Sequence, residues 1–448
     1  MEIAVLGGGF TGLTAAYYLA KKGHAVTLFE KEKVLGGLAV GFKQPNWDWY
    51  LERAYHHLLD SEDDILNFAK DVGFDEIFFR ETITSSLYDV SSHPELVSGS
   101  GFNGIPDQVR DGFQKVKMEA DYRIFPLDSP QDFLRFPLLS WPEKIRAGMV
   151  LAFLKTSPFL SLYEKLTAEE FLKKTQGKHV WEVLWQELFR KKFGKYAENI
   201  LASFIWARIT KRAKKLGYIK GGFQTLINYV ENRVKGLGVR VKKDFTVDHL
   251  GKSREGFVIN NKEKFDVVIS TLPTVIMSKI TQTIFPTDYL QRFSKLKCLH
   301  AVVLILETKQ PILEKTYWLN ICSAKIPIMI IAQHTNFIDK KYYAGNHIAY
   351  VGWYVDRDDP MLKMNKKETI EFASPHLKKI NSEFLILNSE LFIGPFAQPI
   401  YDRDFLKNKP DFITPVKNFY IANLDMTYPY DRGTNYAVKL GKEVSKLI

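Results

Sequence analysis

The sequence predicts an α/β architecture in which a parallel sheet with helices is interleaved with a second domain of mostly antiparallel sheet plus helices. Three observations carry it. A strongly apolar strand, Ile3–Leu6, runs into Gly7-Gly8-Gly9-Phe10-Thr11-Gly12, then a helix from Gly12 to Lys22 and a second strand from Ala25 to Glu30, giving β-α-β within thirty residues. Short strand-like segments return at Val239–Lys242, Thr246–Leu250, Gly256–Asn260 and Val267–Thr271. A third set, Ala301–Leu306, Ile328–Ile331 and His347–Val355, is separated by turns instead of helices, the pattern of antiparallel pairing.

The first unit has the spacing G-x-G-x-x-G at the point where strand must become helix, the mark of a Rossmann-like dinucleotide site. Gly7 permits the tight turn, Gly9 lets a pyrophosphate approach the backbone, and Gly12 lets helix and strand pack closely. Phe10 and Thr11 open the helix, whose N-terminus faces the negative charge. Glu30 ends the second strand 18 residues after Gly12, where a carboxylate accepts from ribose hydroxyls and disfavours a 2′-phosphate. Lys31 follows it. Gly36-Gly37-Leu38 then offers a second stretch of bare backbone, and Val247 is expected to face the dinucleotide from the strand Thr246–Leu250.

Between these units the chain is largely helical. Glu62–Val72 is amphipathic, Trp141–Thr210 is dominated by helical patterns with a capping-box spacing at Thr167 and Glu170, and Phe223–Lys235 is helical again. A length of 448 residues exceeds a single core. We therefore expect a discontinuous cofactor domain of 1–85, 217–275 and 395–448, with a substrate domain of 86–216 and 276–394. His93–Gly112, rich in Gly, Pro and Ser, reads as an inserted surface loop resembling a translated inverted repeat; an active-site lid is the alternative.

A 46% hydrophobic and 25% charged composition is that of a globular protein, which excludes a disordered chain. The 14% aromatic content suits a roomy apolar site. The net charge of +11 suits an anionic substrate, an acidic membrane surface or nucleic acid; the last has no binding motif and is not expected. Cys298 and Cys322 lack metal or C-x-x-C spacing, so neither zinc nor a disulfide framework is expected. Without a signal peptide or an apolar run of transmembrane length, the expected location is the cytoplasm, with peripheral contact at the inner face of a membrane as the extension that the charge allows. The oligomeric state is left open.

The segments EKEKVLGG (Glu30–Gly37), GYIKGGFQTL (Gly217–Leu226), FDVVISTLP (Phe265–Pro273) and Tyr420–Gly441 together resemble the flavoprotein superfamily of amine oxidases, protoporphyrinogen oxidases, phytoene desaturases and UDP-galactopyranose mutases. That resemblance implies FAD, with the C-terminal segment Asp431-Arg432-Gly433-Thr434-Asn435 closing the flavin site at a helix start. Arg432, Gly433, Thr434 and Asn435 are then cofactor residues. Arg432 would also favour negative charge on the ring or clamp a substrate carboxylate or phosphate. Asp425 is assigned to the ribityl chain or phosphate, although Ala422-Asn423-Leu424-Asp425 departs from the usual Ala-Gly-Asp.

His57 resembles a flavin-adjacent histidine and would position substrate or take a proton; a structural histidine is the alternative. Trp318 and Asn320, and likewise His334 and Asn336, stand at alternate positions of strand-like segments and could face one cavity with Tyr401. The basic run Phe189–Lys220 is either a solvated helix face or a contact for anionic groups. The implied activity is FAD-dependent hydride abstraction from a CH–NH or CH–CH bond of a small-molecule substrate. The alternatives are a mutase-like isomerase acting on a sugar nucleotide and a non-enzymatic binding protein resembling GDP-dissociation inhibitors.

Overall fold

In the computed structural model of the chain, residues 1–90, 122–213, 215–253 and 256–448 are described, so the insertion expected at His93–Gly112 lies outside them. The helices used below are α1 (Phe10–Lys21), α2 (Asp63–Val72), α3 (Trp141–Thr156), α4 (Leu160–Tyr163), α5 (Ser203–Thr210), α6 (Phe223–Gly236) and α7 (Thr434–Ser445).

A five-stranded parallel sheet orders its strands Arg240–Lys242, Ala25–Phe29, Glu2–Leu6, Val267–Ser270, Phe419–Ile421. In chain order this is 3-2-1-4-5, so the direction of winding reverses beside the first strand. Ligands of open α/β sheets bind in the crevice that such a switch point opens at the carboxyl ends of the strands. Ile3, Ala4 and Val5 are fully buried, which is why that strand reads as a continuous apolar run.

The second sheet has seven strands in the order Ile386–Pro399, Cys298–Thr308, His347–Val355, Ile330–Gln333, Trp318–Cys322, Thr84–Asp89, Tyr122–Pro126. Every pairing is antiparallel except that of Trp318–Cys322 with Thr84–Asp89. The expected α/β class, parallel sheet plus mostly antiparallel sheet, is the observed one.

Two expected strands change. Thr246–His249 is not a strand: the Asn260 side chain accepts from the Asp248 and His249 N–H groups and donates to the Thr246 carbonyl, so that backbone is satisfied without a ladder. The strand there is Leu250–Lys252. His334–Asn336 is a 3₁₀ turn following the strand Ile330–Gln333. No helix among the described residues is long and apolar enough to cross a membrane.

α7 lies directly on α1, and glycine makes that possible. A Cβ on Gly441 would sit 2.4 Å from the Thr11 carbonyl oxygen. The far ends are tied by the Lys22 ammonium donating to the Ser445 carbonyl at 2.7 Å. Gly441→Ala is therefore expected to lower stability by roughly 1–3 kcal/mol, the overpacking range. By contrast Gly148 lies inside α3, where an added Cβ would meet nothing within 4 Å, and Gly148→Ala should gain roughly 0.5–1 kcal/mol. Calorimetric melting of both variants checks the pair; an unperturbed Gly441→Ala would show that α7 can move away freely.

Candidate functional site

The glycine turn does two separate jobs. A Cβ on Gly12 would lie 1.9 Å from the Gly7 carbonyl oxygen, so Gly12 is demanded by the fold itself. A Cβ on Gly9 would meet no protein atom closer than 3.8 Å, although Gly9 sits at the start of α1 in the middle of the turn. Packing alone therefore does not demand a glycine there.

Around Gly9 the second glycine segment closes in: Gly36 N–H donates to the Gly8 carbonyl at 2.9 Å, and Gly9 and Gly36 form a parallel bridge. Glu30 is buried, its carboxylate accepting from Gly8 N–H at 2.7 Å and Glu32 N–H at 2.9 Å, which sets it against the turn at the end of the second strand. Lys31 is outside, paired with Glu32 at 3.4 Å. Leu38 is exposed at the rim. Val247 packs beside the sheet core in the loop described above and is not on a strand.

Two uncapped helix N-termini belong to this region, and those of α5 and α6 are uncapped as well. α1 starts at Gly9 and α7 at Gly433, and neither has a side-chain cap or an acidic residue in its first turn. α3 and the helices Pro130–Arg135, Ala168–Thr175 and Lys366–Lys378 carry capping boxes with an acidic residue in the first turn. A helix start without cap or acid keeps its N–H groups and positive end for an anion. The residues present thus fit a dinucleotide whose pyrophosphate meets α1 and whose electron-rich ring portion meets α7.

The side chains at the start of α7 are partly spoken for. Asn435 Oδ1 accepts from Ile65 N–H at 3.0 Å, so that oxygen ties α7 to α2. Asp425 accepts from the Thr274 hydroxyl, and burial raises its pKa. Thr434 is buried behind Gly433.

Arg432 faces an aromatic and cationic chamber. Its guanidinium donates to Gln398 Oε1 at 2.9 Å and lies 4.7 Å from the Tyr354 ring centroid. Asp431 instead takes Lys192 at 2.7 Å and Arg208 at 3.0 Å. Burial lowers the Lys192 pKa to about 8, with Asp431 opposing. The basic run between Phe189 and Lys220 thus sets two of its cations on one carboxylate, Lys192 from the buried side and Arg208 from the exposed side.

Tyr55 connects this chamber to the histidine pair, its hydroxyl 3.5 Å from that of Tyr354 and its ring edge-on to Trp318 at 4.8 Å. Trp318 Nε1 donates to Asn320 Oδ1 at 2.9 Å, so the two do share a face of their strand. His57 stands beside them, 6.1 Å from the Trp318 ring, with Nδ1 3.4 Å from the Tyr317 hydroxyl. Burial drops the pKa of both His56 and His57 to about 4. Yet Tyr55, His56, His57, Trp318 and Arg432 all keep part of their surface accessible. Strong desolvation together with residual access is what side chains lining an interior space show.

Three expected pocket residues are elsewhere. His334 is buried against Tyr343, Nε2 to hydroxyl 2.8 Å, with its pKa pushed down to about 3 by burial. Asn336 donates to the carbonyls of Leu313 and Thr316 and so holds a loop. The Tyr401 hydroxyl is bonded to Thr427 and to the Tyr430 carbonyl inside the core. Conversely Tyr354, Gln398 and Glu62 stand at the site without any sequence signal that singles them out. Glu62, its pKa raised to about 7 by burial, has Oε1 3.7 Å from the Cβ position of Gly433.

The model of a family described as flavin containing amine oxidoreductase matches residues 10–445. The 15-cis-phytoene desaturase, chloroplastic/chromoplastic, of Glycine max is 21% identical over 475 residues, spanning 100% of this chain and 79% of that protein. The 15-cis-phytoene desaturase of Synechococcus elongatus is 25% identical over 176 residues, and the match spans 39% of this chain and only 33% of that relative. An oxidoreductase from Methanosarcina mazei superposes with a TM-score of 0.74 at 17% identity, covering 100% of both chains. Reduced UDP-galactopyranose mutase superposes with a TM-score of 0.72 at 15% identity, covering 99% and 94%. The structural likenesses show a shared fold.

Because a Cβ on Gly9 would meet no protein atom closer than 3.8 Å while a pyrophosphate at the turn would need that space, Gly9→Val should yield folded, colourless protein. We expect a melting temperature near that of wild-type protein stripped of FAD, and no FAD released on denaturation, where wild type releases FAD and not FMN. A yellow Gly9→Val protein would place the pyrophosphate elsewhere.

Proposed function

The chain belongs to the family of flavin-containing amine oxidoreductases and is an FAD-dependent oxidoreductase, and within that activity we propose that its substrate is a largely apolar small molecule carrying an anionic group. The observation behind this reading is the charge of the chamber. Lys192, Arg208 and Arg432 stand there with Asp431, which pairs with the first two side chains and accepts from the Arg432 backbone N–H, and with Glu62, whose pKa burial raises to about 7. A protonated amine would meet net positive charge there, at the low effective dielectric where repulsion is strongest.

Bound FAD supplies the two-electron acceptor for a CH–CH or CH–NH bond. What the chain supplies is position and proton handling. Arg432, stacked on Tyr354 and held by Gln398, presents a planar fork suited to a carboxylate or phosphate. Tyr55, Tyr354 and Trp318 offer flat apolar walls. His57 stays neutral in the physiological range, and with Nδ1 turned to Tyr317, Nε2 is the nitrogen left to accept a proton or align the reacting carbon.

Membership of an oxidoreductase family sets aside the non-enzymatic binding protein. The isomerase alternative has less behind it, since the relative matched over the whole chain is a desaturase by name.

Arg432→Ala is expected to retain FAD and lose roughly tenfold to a hundredfold in kcat/KM on an anion-bearing substrate, the range for removing one partner of a charged hydrogen bond. Candidate substrates are found by anaerobic flavin bleaching. If simple alkylamines bleach the flavin and Arg432→Ala reacts with them as wild type does, the anionic reading fails. The pH dependence carries a sign as well. Lys192 is a cation below about pH 8 and neutral above it, so KM for the anion should climb as the pH rises through that value, and Lys192→Gln should flatten the rise.

A further inference from the structure

α3 presents an apolar line to solvent. Trp141, Ile145, Met149 and Phe153 recur every fourth residue and are 62%, 57%, 62% and 55% exposed. The line continues past α3 through Phe159 and Leu162, 63% and 49% exposed. These six are among the seventeen large hydrophobic side chains exposed in the described residues, and they fall within 22 consecutive positions. Residues four apart on a helix share a face, and thirteen residues of helix extend about 18 Å. Such a patch on a monomer marks an interaction surface.

Its surroundings are net basic. Residues 134–180 hold eight Lys or Arg against four Glu. Of the four acids, Glu143 accepts from Ser140 and His179, Glu164 from Tyr428, Glu169 from Lys173 and Glu170 from the Thr167 N–H. On the helix itself Arg146 donates to the carbonyls of Thr175 and Lys174, and Lys155 to those of Thr210 and Arg212. A carbonyl satisfies hydrogen bonds without cancelling charge, so both cations keep their full charge beside the apolar line.

We propose that this face of α3 and α4 docks on an anionic lipid surface, apolar side chains entering the acyl boundary and the cationic rim meeting headgroups. A second copy of the chain fits worse, because two such faces would bring like-charged rims together. An aromatic and aliphatic line flanked by Arg and Lys is the pattern of a helix lying in the interfacial plane. The location ties docking to the active chamber. Trp206 of α5 donates to the Ser157 carbonyl at 2.8 Å and stacks on Tyr163, while Tyr430 lies 6.3 Å from it on the other side. Two ring contacts therefore separate the docked face from the segment bearing Asp431 and Arg432. The inference does not depend on the substrate reading, since docking is measured without turnover.

The test uses FAD-loaded full-length protein and sedimentation with vesicles of phosphatidylcholine alone or mixed with phosphatidylglycerol. Wild type should sediment with the mixed vesicles, less so at high salt, and brominated lipid should quench Trp141 fluorescence. The combined variant Trp141→Ser, Met149→Ser, Phe153→Ser should bind more than about tenfold more weakly while its FAD content and melting temperature stay unchanged. Wild type that ignores mixed vesicles overturns the proposal, as does unaltered binding by the combined variant. Light scattering covers the remaining outcome: a wild-type dimer that the variant converts to monomer, without vesicle binding, assigns the face to a second copy and overturns the lipid.

Discussion

The contact between the Gly12 backbone and the Gly7 carbonyl is the constraint on which the rest of the molecule depends. With 1.9 Å available to a Cβ, no other residue lets α1 leave the first strand at this angle. That angle points the uncapped start of α1 at the crevice of the parallel sheet. It also fixes where α7 lies, because Gly441 sits on the Thr11 carbonyl. Since α7 begins at Gly433, beside Arg432, the position of the chamber's main cation follows from backbone geometry set at the opposite end of the chain. One side chain in the wrong place would misaim two helix ends together.

Helix ends and cations divide the electrostatic work between them. The unsupported N-termini of α1 and α7 are partial charges fixed by backbone and indifferent to pH. Lys192 is a full charge whose burial is tolerated because it pairs with Asp431, and the pKa of Asp431 is held low by Lys192 and by the exposed Arg208. Arg432 has no such carboxylate and is held by an amide oxygen and a ring face. Placing that guanidinium at the chamber wall leaves it available to an incoming anion.

How much of this was legible in sequence follows from how local each signal is. The glycine turn, Glu30 and the first strands are set within thirty residues, and the chain places them as read. Trp318 and Asn320 share a face because their strand persists through both. His334 and Asn336 escape the same argument because Gln333 intervenes: its side chain accepts from Ile312 and Leu313 and donates to Thr335 and the Ile348 carbonyl, ending the strand and changing the period. Val247 leaves its expected strand through an equally nonlocal partner, Asn260. Tyr354 is invisible to pattern because His347–Val355 is apolar on both faces, so alternation gives no direction. Asn435 has the position of a cofactor ligand, yet its partner Ile65 is 370 residues away.

The chamber's charges also explain why its histidines stay neutral. After desolvation has done most of it, Arg432 lowers the pKa of His56 further, and His56 and then Arg208 lower that of His57. Protonating either would add a cation to a space where three already stand against Asp431 and a Glu62 whose pKa burial raises to about 7. An incoming anion reverses that arithmetic. It offsets part of the excess positive charge, and so raises the affinity of His57 for a proton when substrate is bound. Binding and proton acceptance are thereby coupled through one low-dielectric space: the group that seats the substrate's charge also readies the base beside it. A neutral substrate of the same shape would fill the aromatic walls without this effect, and would leave His57 as poor a proton acceptor as it is in the free protein.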